Sequence, residues 1–318
     1  MEALVSSWST NAQSLPENYV FPPRQRPGKL IVPPCKSIAL IDLGKAESSD
    51  RAETIQKILE ASQECGFFQV INHGVSDNLI DESMSIFKEF FNLPAEDKAS
   101  LYSTDLNKSC RLYTSNFTYE TEEVHFWSDI LRHPCHPLQD QVQIWPEKPT
   151  RYREIVGAYS VELRKLSLKI LDLICEGLGL EQGYFGDELS KGQMLSVNHY
   201  SRCPDPSLTL GLPKHCDPNL KTVVLQGNVG GLQVYKDGHG QWLGVEPLPH
   251  AFVVNIGYQL QIISNGKLRG AEHRVMTIPR EARTTAATFI NPSPDCVIHP
   301  AEALVNLSNP TLQGLYIR

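Results

Sequence analysis

Hydrophobic positions along this chain change their spacing near residue 190. Before that point, apolar residues recur every three or four positions in three segments, which predicts helices over Ser49–Cys65, Asp77–Phe91 and Tyr152–Leu180. The last segment is the longest, and its apolar stripe predicts a scaffold helix packed on a sheet. Two β-rich apolar runs, Ser37–Leu43 and Phe67–Ile71, predict strands on either side of the first helix.

From residue 191 onward, apolar positions alternate with polar ones in short runs separated by Gly and Pro, and each run predicts a strand. The runs are Gln193–Tyr200, Thr222–Leu225, Gly231–Tyr235, Trp242–Val245, Ala251–Ile256, Leu260–Ser264, His273–Thr277, Thr284–Ile290 and Cys296–His299. So many short strands in about 110 residues predict a sandwich or barrel, most simply an eight-stranded jelly roll. The predicted fold class is α+β, with a double-stranded β-helix (jelly roll) core flanked by helices.

The same patterns divide the chain into four parts. Residues 1–36 are rich in Ser, Pro and Asn and predict an extended N-terminal arm. Residues 37–190 form a mainly helical N-terminal region, and residues 191–300 form the jelly-roll core. Residues 301–318 are predicted to be a short C-terminal tail.

Charge and composition exclude several classes of protein. The 318 residues carry 29 Lys and Arg against 36 Asp and Glu, a net charge of −7, so nucleic acid is not an expected partner. Apolar runs such as Ala251–Ile256 reach about a third of the ~20 residues that cross a bilayer. Met1–Val5 carries an acid where a signal peptide carries basic residues. The 8 Cys include no CxxC pair, so we expect reduced thiols in a cytoplasmic protein without a membrane partner.

Candidate metal chemistry lies in the histidines. Of the 10 His, only His215 is followed two residues later by a carboxylate, Asp217. In an extended segment these two side chains share a face and can reach one ion, although about one such match is expected by chance and an exposed loop pair is an open alternative. His273 begins a predicted strand 58 residues later. It is either a buried core histidine or the third member of a facial triad, which leaves three positions of an octahedral ferrous ion open.

A third feature favours the metal interpretation. Arg283 lies ten residues after His273, and Thr285 follows at the alternate position. On a strand of a barrel both side chains point inward together, and an inward guanidinium requires an anionic partner. A dicarboxylate ligand would supply that partner.

Several longer segments resemble one family, the plant iron(II)- and 2-oxoglutarate-dependent dioxygenases, from about Ser37 to Asn309. The segments similar to its signatures are Phe67–Gly74, Val229–Val234, Pro247–Gly257 and Ser264–Val275. Those most similar to its alkaloid-hydroxylating members in plant specialised metabolism are Trp127–Asp129, Cys135–Leu138, Trp145–Pro149 and Tyr152–Leu180.

The resemblance implies Fe(II) as cofactor, 2-oxoglutarate as co-substrate and ascorbate as a stimulant, with residues 191–300 as the catalytic core. It also assigns roles by position. The implied iron ligands are His215, Asp217 and His273. The residues implied to contact 2-oxoglutarate are Asn198 and Tyr200 near the metal and Arg283 and Thr285 at the distal carboxylate.

The expected function is then a monomeric dioxygenase that uses O2 to hydroxylate a small plant specialised metabolite, with an alkaloid as one candidate, and releases succinate and CO2. Two alternatives stay open. One is a weak or inactive small-molecule-binding member of the same fold. The other is a His/Asp/His metal hydrolase, for which Arg283 and Thr285 have no explanation.

Three departures from the family pattern bear on these expectations. Thr285 stands where Ser is usual and keeps the hydroxyl. Tyr258 stands where Asp is usual after Asn255-Ile256-Gly257, which changes the expected hydrogen bonding near the site. The sequence ends at Arg318, where the family continues with a segment that helps cover the substrate pocket, so we expect either a shortened form of the protein or a more open pocket.

Overall fold

A computed structural model describes residues 4–29, 32–33, 38–116, 119–236 and 240–305. The α-helices of these residues are α1 (Val5–Trp8), α2 (Arg51–Glu64), α3 (Asp77–Asn92), α4 (Ala95–Lys98), α5 (Leu138–Gln141), α6 (Tyr152–Leu178) and α7 (Tyr258–Ile263). Their strands are β1 (Ala39–Asp42), β2 (Phe67–Ile71), β3 (Arg111–Thr114), β4 (Asp129–Pro134), β5 (Gly192–Tyr200), β6 (Leu212–His215), β7 (Lys221–Leu225), β8 (Leu232–Lys236), β9 (Gln241–Gly244), β10 (Phe252–Ile256), β11 (His273–Val275) and β12 (Arg283–Asn291).

The strands form two sheets. The larger has the order β1-β2-β10-β7-β12-β5-β4-β3, and the smaller has the order β6-β11-β8-β9. The eight strands from β5 to β12 are divided equally between the two sheets, which is the predicted jelly roll. Strands β1 and β2 extend the larger sheet at one edge and β4 and β3 extend it at the other, so one face of that sheet offers a wide wall.

Helices cover the outer face of the larger sheet. Helix α6 is 27 residues long, as its apolar stripe predicts, and ends at Gly179, whose φ of 70° is the left-handed conformation that glycine favours. Its Leu163 and Ile170 belong to the same buried cluster as Val223 and Leu225 of β7. Helices α3 and α6 also pack against each other and against β12. The opposite face of the larger sheet is thereby left to face the smaller sheet.

The N-terminal segment is less extended than its composition predicts. It contains α1 and two short 3-10 turns, and residues 1–3, 30–31 and 34–37 lie outside the described part of the chain. The buried Asp129 of β4 accepts hydrogen bonds from the backbone N–H groups of Val5 and Ser6 at 2.9 and 2.7 Å. Trp8 packs edge-on against Trp127. These contacts come from distant parts of the sequence, so local periodicity could not indicate them.

Two predicted strands of the core are wrong. The run Leu260–Ser264 lies mostly in helix α7, because a short apolar run does not distinguish a helix from a strand by its period. The run Cys296–His299 is irregular. Strand β6 was not predicted, since Leu212-Pro213-Lys214 lacks a clear alternation. Of the predicted tail, residues 306–318 lie outside the described residues.

Within the described residues, no helix combines the length and the apolar character needed to cross a membrane.

An unusual buried cation lies in the helix-covered core. Lys221 is 0% exposed, and its Nζ has no hydrogen-bond partner among the described residues. Burial lowers the pKa of this ammonium group to about 7. Because the unfolded chain still binds the proton between pH 7 and pH 10.5, stability is expected to rise with pH across that interval.

Replacing Lys221 by Met is therefore expected to stabilise the protein. The gain should be about 3–4 kcal/mol at pH 6 and about half as much at pH 9, where the wild-type lysine is already neutral. Urea unfolding at the two pH values measures it. The exposed Lys57, which pairs with Glu53, offers the control Lys57→Met, for which little change is expected. A loss of stability in Lys221→Met at both pH values would contradict the prediction.

Candidate active site

A cavity of about 420 Å³ lies between the two sheets. One wall is the inner face of the larger sheet, and the other comes from β6, β8 and β11. All seven residues predicted as site residues line this cavity. They are Asn198, Tyr200, His215, Asp217, His273, Arg283 and Thr285.

The two histidines meet through strand pairing. His215 ends β6, His273 begins β11, and the two residues are direct register partners with ring centroids 4.1 Å apart. Asp217 lies just beyond β6 in a loop, so it reaches the histidines from a turn and not from the extended segment that was predicted. Its Oδ1 is 3.4 Å from Nε2 of His215 and 3.6 Å from Nε2 of His273. Three ligand atoms within 4.8 Å of one another can hold one metal ion.

Backbone carbonyls orient both imidazoles. Nδ1 of His215 lies 2.9 Å from the Pro213 carbonyl oxygen, and Nδ1 of His273 lies 3.2 Å from that of Ala271. A carbonyl oxygen only accepts, so each Nδ1 carries the proton and donates it. Each Nε2 is left with a lone pair directed at the common point, which is the tautomer that a metal ligand needs.

The other carboxylate oxygen of Asp217 is held from the larger sheet. Oδ2 accepts hydrogen bonds from the Thr222 hydroxyl at 2.5 Å and the Asn255 side-chain amide at 2.9 Å. Thr222 and Asn255 are register partners on β7 and β10. Sequence reasoning did not predict these two orienting residues. The available signal was a polar side chain at an inward position in each of two mainly apolar strands.

Tyr258 contributes through its backbone. Its N–H donates to the Asp217 carbonyl oxygen at 2.7 Å, at the point where α7 begins. The preceding Gly257 has no room for a side chain, because a Cβ there would lie 1.9 Å from the Asn219 carbonyl oxygen. The substitution at position 258 therefore leaves this contact to Asp217 intact.

The charges and hydrogen bonds around Asp217, His215 and His273 favour the binding of a cation. Burial would raise the pKa of Asp217, but His273, His215 and the Thr222 hydroxyl together hold it well below its usual range. Burial, together with His215, lowers the pKa of His273 to about 4. For His215, burial opposes protonation, and the Asp217 carboxylate outweighs burial and raises its pKa. A divalent cation bound to Asp217 would take the place of that proton.

The other four predicted residues form two adjacent cross-strand pairs. Tyr200 of β5 pairs with Arg283 of β12, and Asn198 pairs with Thr285. Alternation directs all four side chains into the cavity.

Arg283 carries a buried charge. It is 2% exposed, and its guanidinium donates to the Val229 carbonyl oxygen at 3.0 Å and to the Gln226 side chain at 3.1 Å. No carboxylate of the described residues pairs with it. Burial lowers its pKa. Gly231 makes room for the side chain, since a Cβ there would lie 3.3 Å from Cδ of Arg283. The guanidinium of Arg283 can therefore pair with the carboxylate of a ligand in the cavity.

A jelly roll in which two His and one carboxylate converge on a point defines a class of protein, the mononuclear non-haem metal enzymes. Comparison with known sequences specifies the family. Residues 191–292 match the 2OG-Fe(II) oxygenase superfamily, and residues 38–151 match the family described as non-haem dioxygenase in morphine synthesis N-terminal.

Individual relatives agree with this result. Hyoscyamine 6-dioxygenase of Hyoscyamus niger is 45% identical, over 99% of this chain and 92% of that protein. Protein DOWNY MILDEW RESISTANCE 6 of Arabidopsis thaliana is 44% identical, over 99% and 92%. The solved structure of JOX2 in complex with 2OG, Fe and JA superposes with a TM-score of 0.84 at 35% identity, covering 98% of this chain and 89% of that one.

The chain belongs to the 2OG-Fe(II) oxygenase superfamily. It is a 2-oxoglutarate-dependent dioxygenase, with Fe(II) as cofactor and 2-oxoglutarate as co-substrate. The His-Asp-His cluster fits Fe(II), because two neutral imidazole nitrogens and one carboxylate oxygen leave open positions on an octahedral ion.

The contact between Thr222 and Asp217 gives a test of how the metal site is oriented. Thr222→Val keeps the side-chain shape and removes the hydroxyl that donates to Oδ2. Metal affinity is expected to fall by about ten- to a hundredfold, measured by titrating the apo protein with Co(II) and following its absorption. Thr209→Val, at a buried threonine outside the cavity, is the control and should bind Co(II) like the wild type. Equal affinity in both variants would show that this hydroxyl does not orient the ligand.

Proposed function

We propose that this enzyme hydroxylates a small organic metabolite of plant specialised metabolism and releases succinate and CO2. In this proposal Fe(II) is held by His215, Asp217 and His273. The co-substrate is held by Asn198, Tyr200, Arg283 and Thr285. One observation carries the proposal: the metal-binding cluster shares its cavity with a buried guanidinium that lacks a carboxylate partner among the described residues.

The protein's own contribution is positioning and charge. Fe(II), when bound, supplies the redox chemistry by which one oxygen atom of O2 enters a substrate C–H bond and the other enters succinate, as 2-oxoglutarate loses CO2. Arg283 and the Thr285 hydroxyl bind the distal carboxylate of 2-oxoglutarate, and Arg283 neutralises it. Asn198 and Tyr200 lie beside them on β5 and orient the co-substrate toward the metal.

A hydrolase is less well supported. A His/Asp/His site also suits Zn(II), but hydrolysis gives no role to a guanidinium buried across the cavity. An inactive binding member of the fold is opposed by the tautomers of His215 and His273, which leave both Nε2 atoms available to a metal.

An alkaloid is one candidate substrate, because hyoscyamine 6-dioxygenase is among the relatives. Other relatives have names that refer to flavanones and to mugineic acids, so their names alone do not select one chemical class. The volume of the cavity, about 420 Å³, is in the usual range for sites that bind small organic molecules.

We also propose a monomeric cytoplasmic enzyme. The described cysteines are all free thiols, in keeping with a reducing compartment. Large exposed apolar side chains come from separated positions of the chain, such as Leu40, Leu106 and Val297. Scattered apolar residues of this kind are normal on monomers.

The assignment of the iron ligands is tested with His215→Ala and His273→Ala. Each variant removes one neutral nitrogen donor, so Fe(II)-dependent formation of succinate from 2-oxoglutarate should fall below detection. The control is His250→Ala, at a half-exposed histidine that pairs with Asp81 away from the cavity. Full succinate formation in either ligand variant would remove that residue from the proposed site.

The role of Arg283 is tested by separating co-substrate affinity from metal affinity. Arg283→Met should raise the apparent KM for 2-oxoglutarate by tens-fold or more, because a buried carboxylate loses its ion pair. Co(II) affinity should stay the same. Arg283→Lys should recover part of the loss, since a lysine keeps the charge but not the bidentate geometry.

Arg151→Met removes an exposed guanidinium as a control for net charge. An unchanged requirement for 2-oxoglutarate in Arg283→Met would mean that the anion binds elsewhere.

A further inference from the structure

A second arginine lines the cavity and has no role in the proposed binding of metal or 2-oxoglutarate. Arg132 lies on β4, where Ile130 and Arg132 face the cavity and the alternate residues Leu131 and His133 face away from it. Its Nε is buried, and no described residue accepts a hydrogen bond from it. Arg132 also forms no ion pair with any carboxylate of the described chain. Arg132 is half-buried, so this guanidinium is in contact with the cavity and has no protein anion beside it.

Strand register places this guanidinium apart from Arg283. Arg132 pairs with Ser196 of β5, which in turn pairs with Ala287 of β12. Its guanidinium carbon lies 5.6 Å from the ring centre of Phe289, further along β12. Four to six residues of strand separate these positions from Arg283, roughly 13–20 Å at about 3.3 Å per residue. One small co-substrate anchored at Arg283 therefore does not account for Arg132.

The same register places Arg132 on the metal side of the cavity. Phe289 is the direct partner of Thr222, and the Thr222 hydroxyl contacts the Asp217 carboxylate. A ligand group bound to Arg132 thus lies over Phe289, next to the strand that orients the metal cluster. This is where a substrate must lie if one of its C–H bonds is to face the metal.

Neighbouring charges do not neutralise Arg132. Directly opposite it on β3 is Arg111, a second guanidinium, and like charges in such pairs repel each other. Arg111 donates to the backbone carbonyl of Asp105 and not to a carboxylate. Among the described residues that line the cavity, Asp217 is the one carboxylate, and both of its oxygens are already engaged. The substrate side of the cavity is therefore positively charged.

We infer that the substrate is a small carboxylic acid whose carboxylate pairs with Arg132. Three aromatic side chains, those of Phe126, Tyr113 and Phe289, line the same cavity, and Phe289 lies beside Arg132, so the remainder of the molecule is a compact aromatic or alicyclic skeleton. This inference rests on the proposed function, because it identifies the occupant of the substrate side of that site. The inference excludes a substrate whose only charged group is an amine.

The test compares three molecules that share one skeleton and differ in charge, namely an anionic acid, a neutral amide and a cationic amine. The probes are cinnamate, cinnamamide and cinnamylamine, with a second series of cyclohexanecarboxylate, its amide and cyclohexylmethylamine. Binding to the full chain loaded with Mn(II) and 2-oxoglutarate is measured by calorimetry. In the wild type, the acid of at least one series should bind about ten- to a hundredfold more tightly than its amide, as expected for a charge-assisted hydrogen bond.

Variants then assign this preference to one residue. Arg132→Met should remove the difference between acid and amide, and Arg132→Lys should keep part of it. The affinity for 2-oxoglutarate, measured in the same samples, should stay the same in both variants. That readout separates a specific role from a general loss of folding. Arg51→Met removes an exposed guanidinium that pairs with Glu176 and should keep the wild-type preference.

Several results would overturn the inference. They are binding of the amide or amine as tightly as the acid, an acid preference that survives in Arg132→Met, a parallel loss of 2-oxoglutarate affinity, and binding of no acid at all. Succinate formation with Fe(II) is measured separately for the wild type. Its absence would reject the proposed function, whereas the charge preference of the cavity is judged from the calorimetry alone.

Discussion

The buried Asp217 carboxylate is the group on which the rest of the site depends. It lies in a loop that follows a strand of the smaller sheet, yet Thr222 and Asn255 of the larger sheet hold its second oxygen. A negative charge at this depth is stable only when donors and cations surround it. The histidines and a divalent ion supply the cations, so the two sheets, the loop and the metal form one interdependent unit.

Strand register is the means by which this unit is assembled. Eight polar residues of the cavity form four pairs that face each other directly across neighbouring strands, and a slip of one residue in a strand would turn its members of these pairs toward the opposite face. The helix-covered core on the outer face opposes such a slip, because it would bury the polar set among apolar side chains. The cross-strand pairs are His215–His273, Asn198–Thr285, Tyr200–Arg283 and Thr222–Asn255.

Charge then divides the cavity into regions. Arg283 occupies one end of the inner wall and Arg132 lies toward the other, with the metal cluster between the sheets. In the function proposed here, a dianionic co-substrate neutralises the first guanidinium. In our inference, the second is paired only when the substrate enters, so the charge of the substrate determines binding. The family's shared chemistry and an individual substrate preference thus reside on different strands of one sheet.

Much of this architecture follows from local sequence, and some of it does not. The change in hydrophobic period near residue 190 predicted the helices and the jelly roll. The spacing of His215, Asp217 and His273 indicated a metal cluster, because the residue types that bind metals are recognisable in a sequence. The helix at Tyr258–Ile263 was decided by tertiary structure, since a short apolar run has no distinctive period. The contact of Thr222 with Asp217 and the position of Arg132 in the cavity were decided there too, because each depends on partners that only strand pairing brings together.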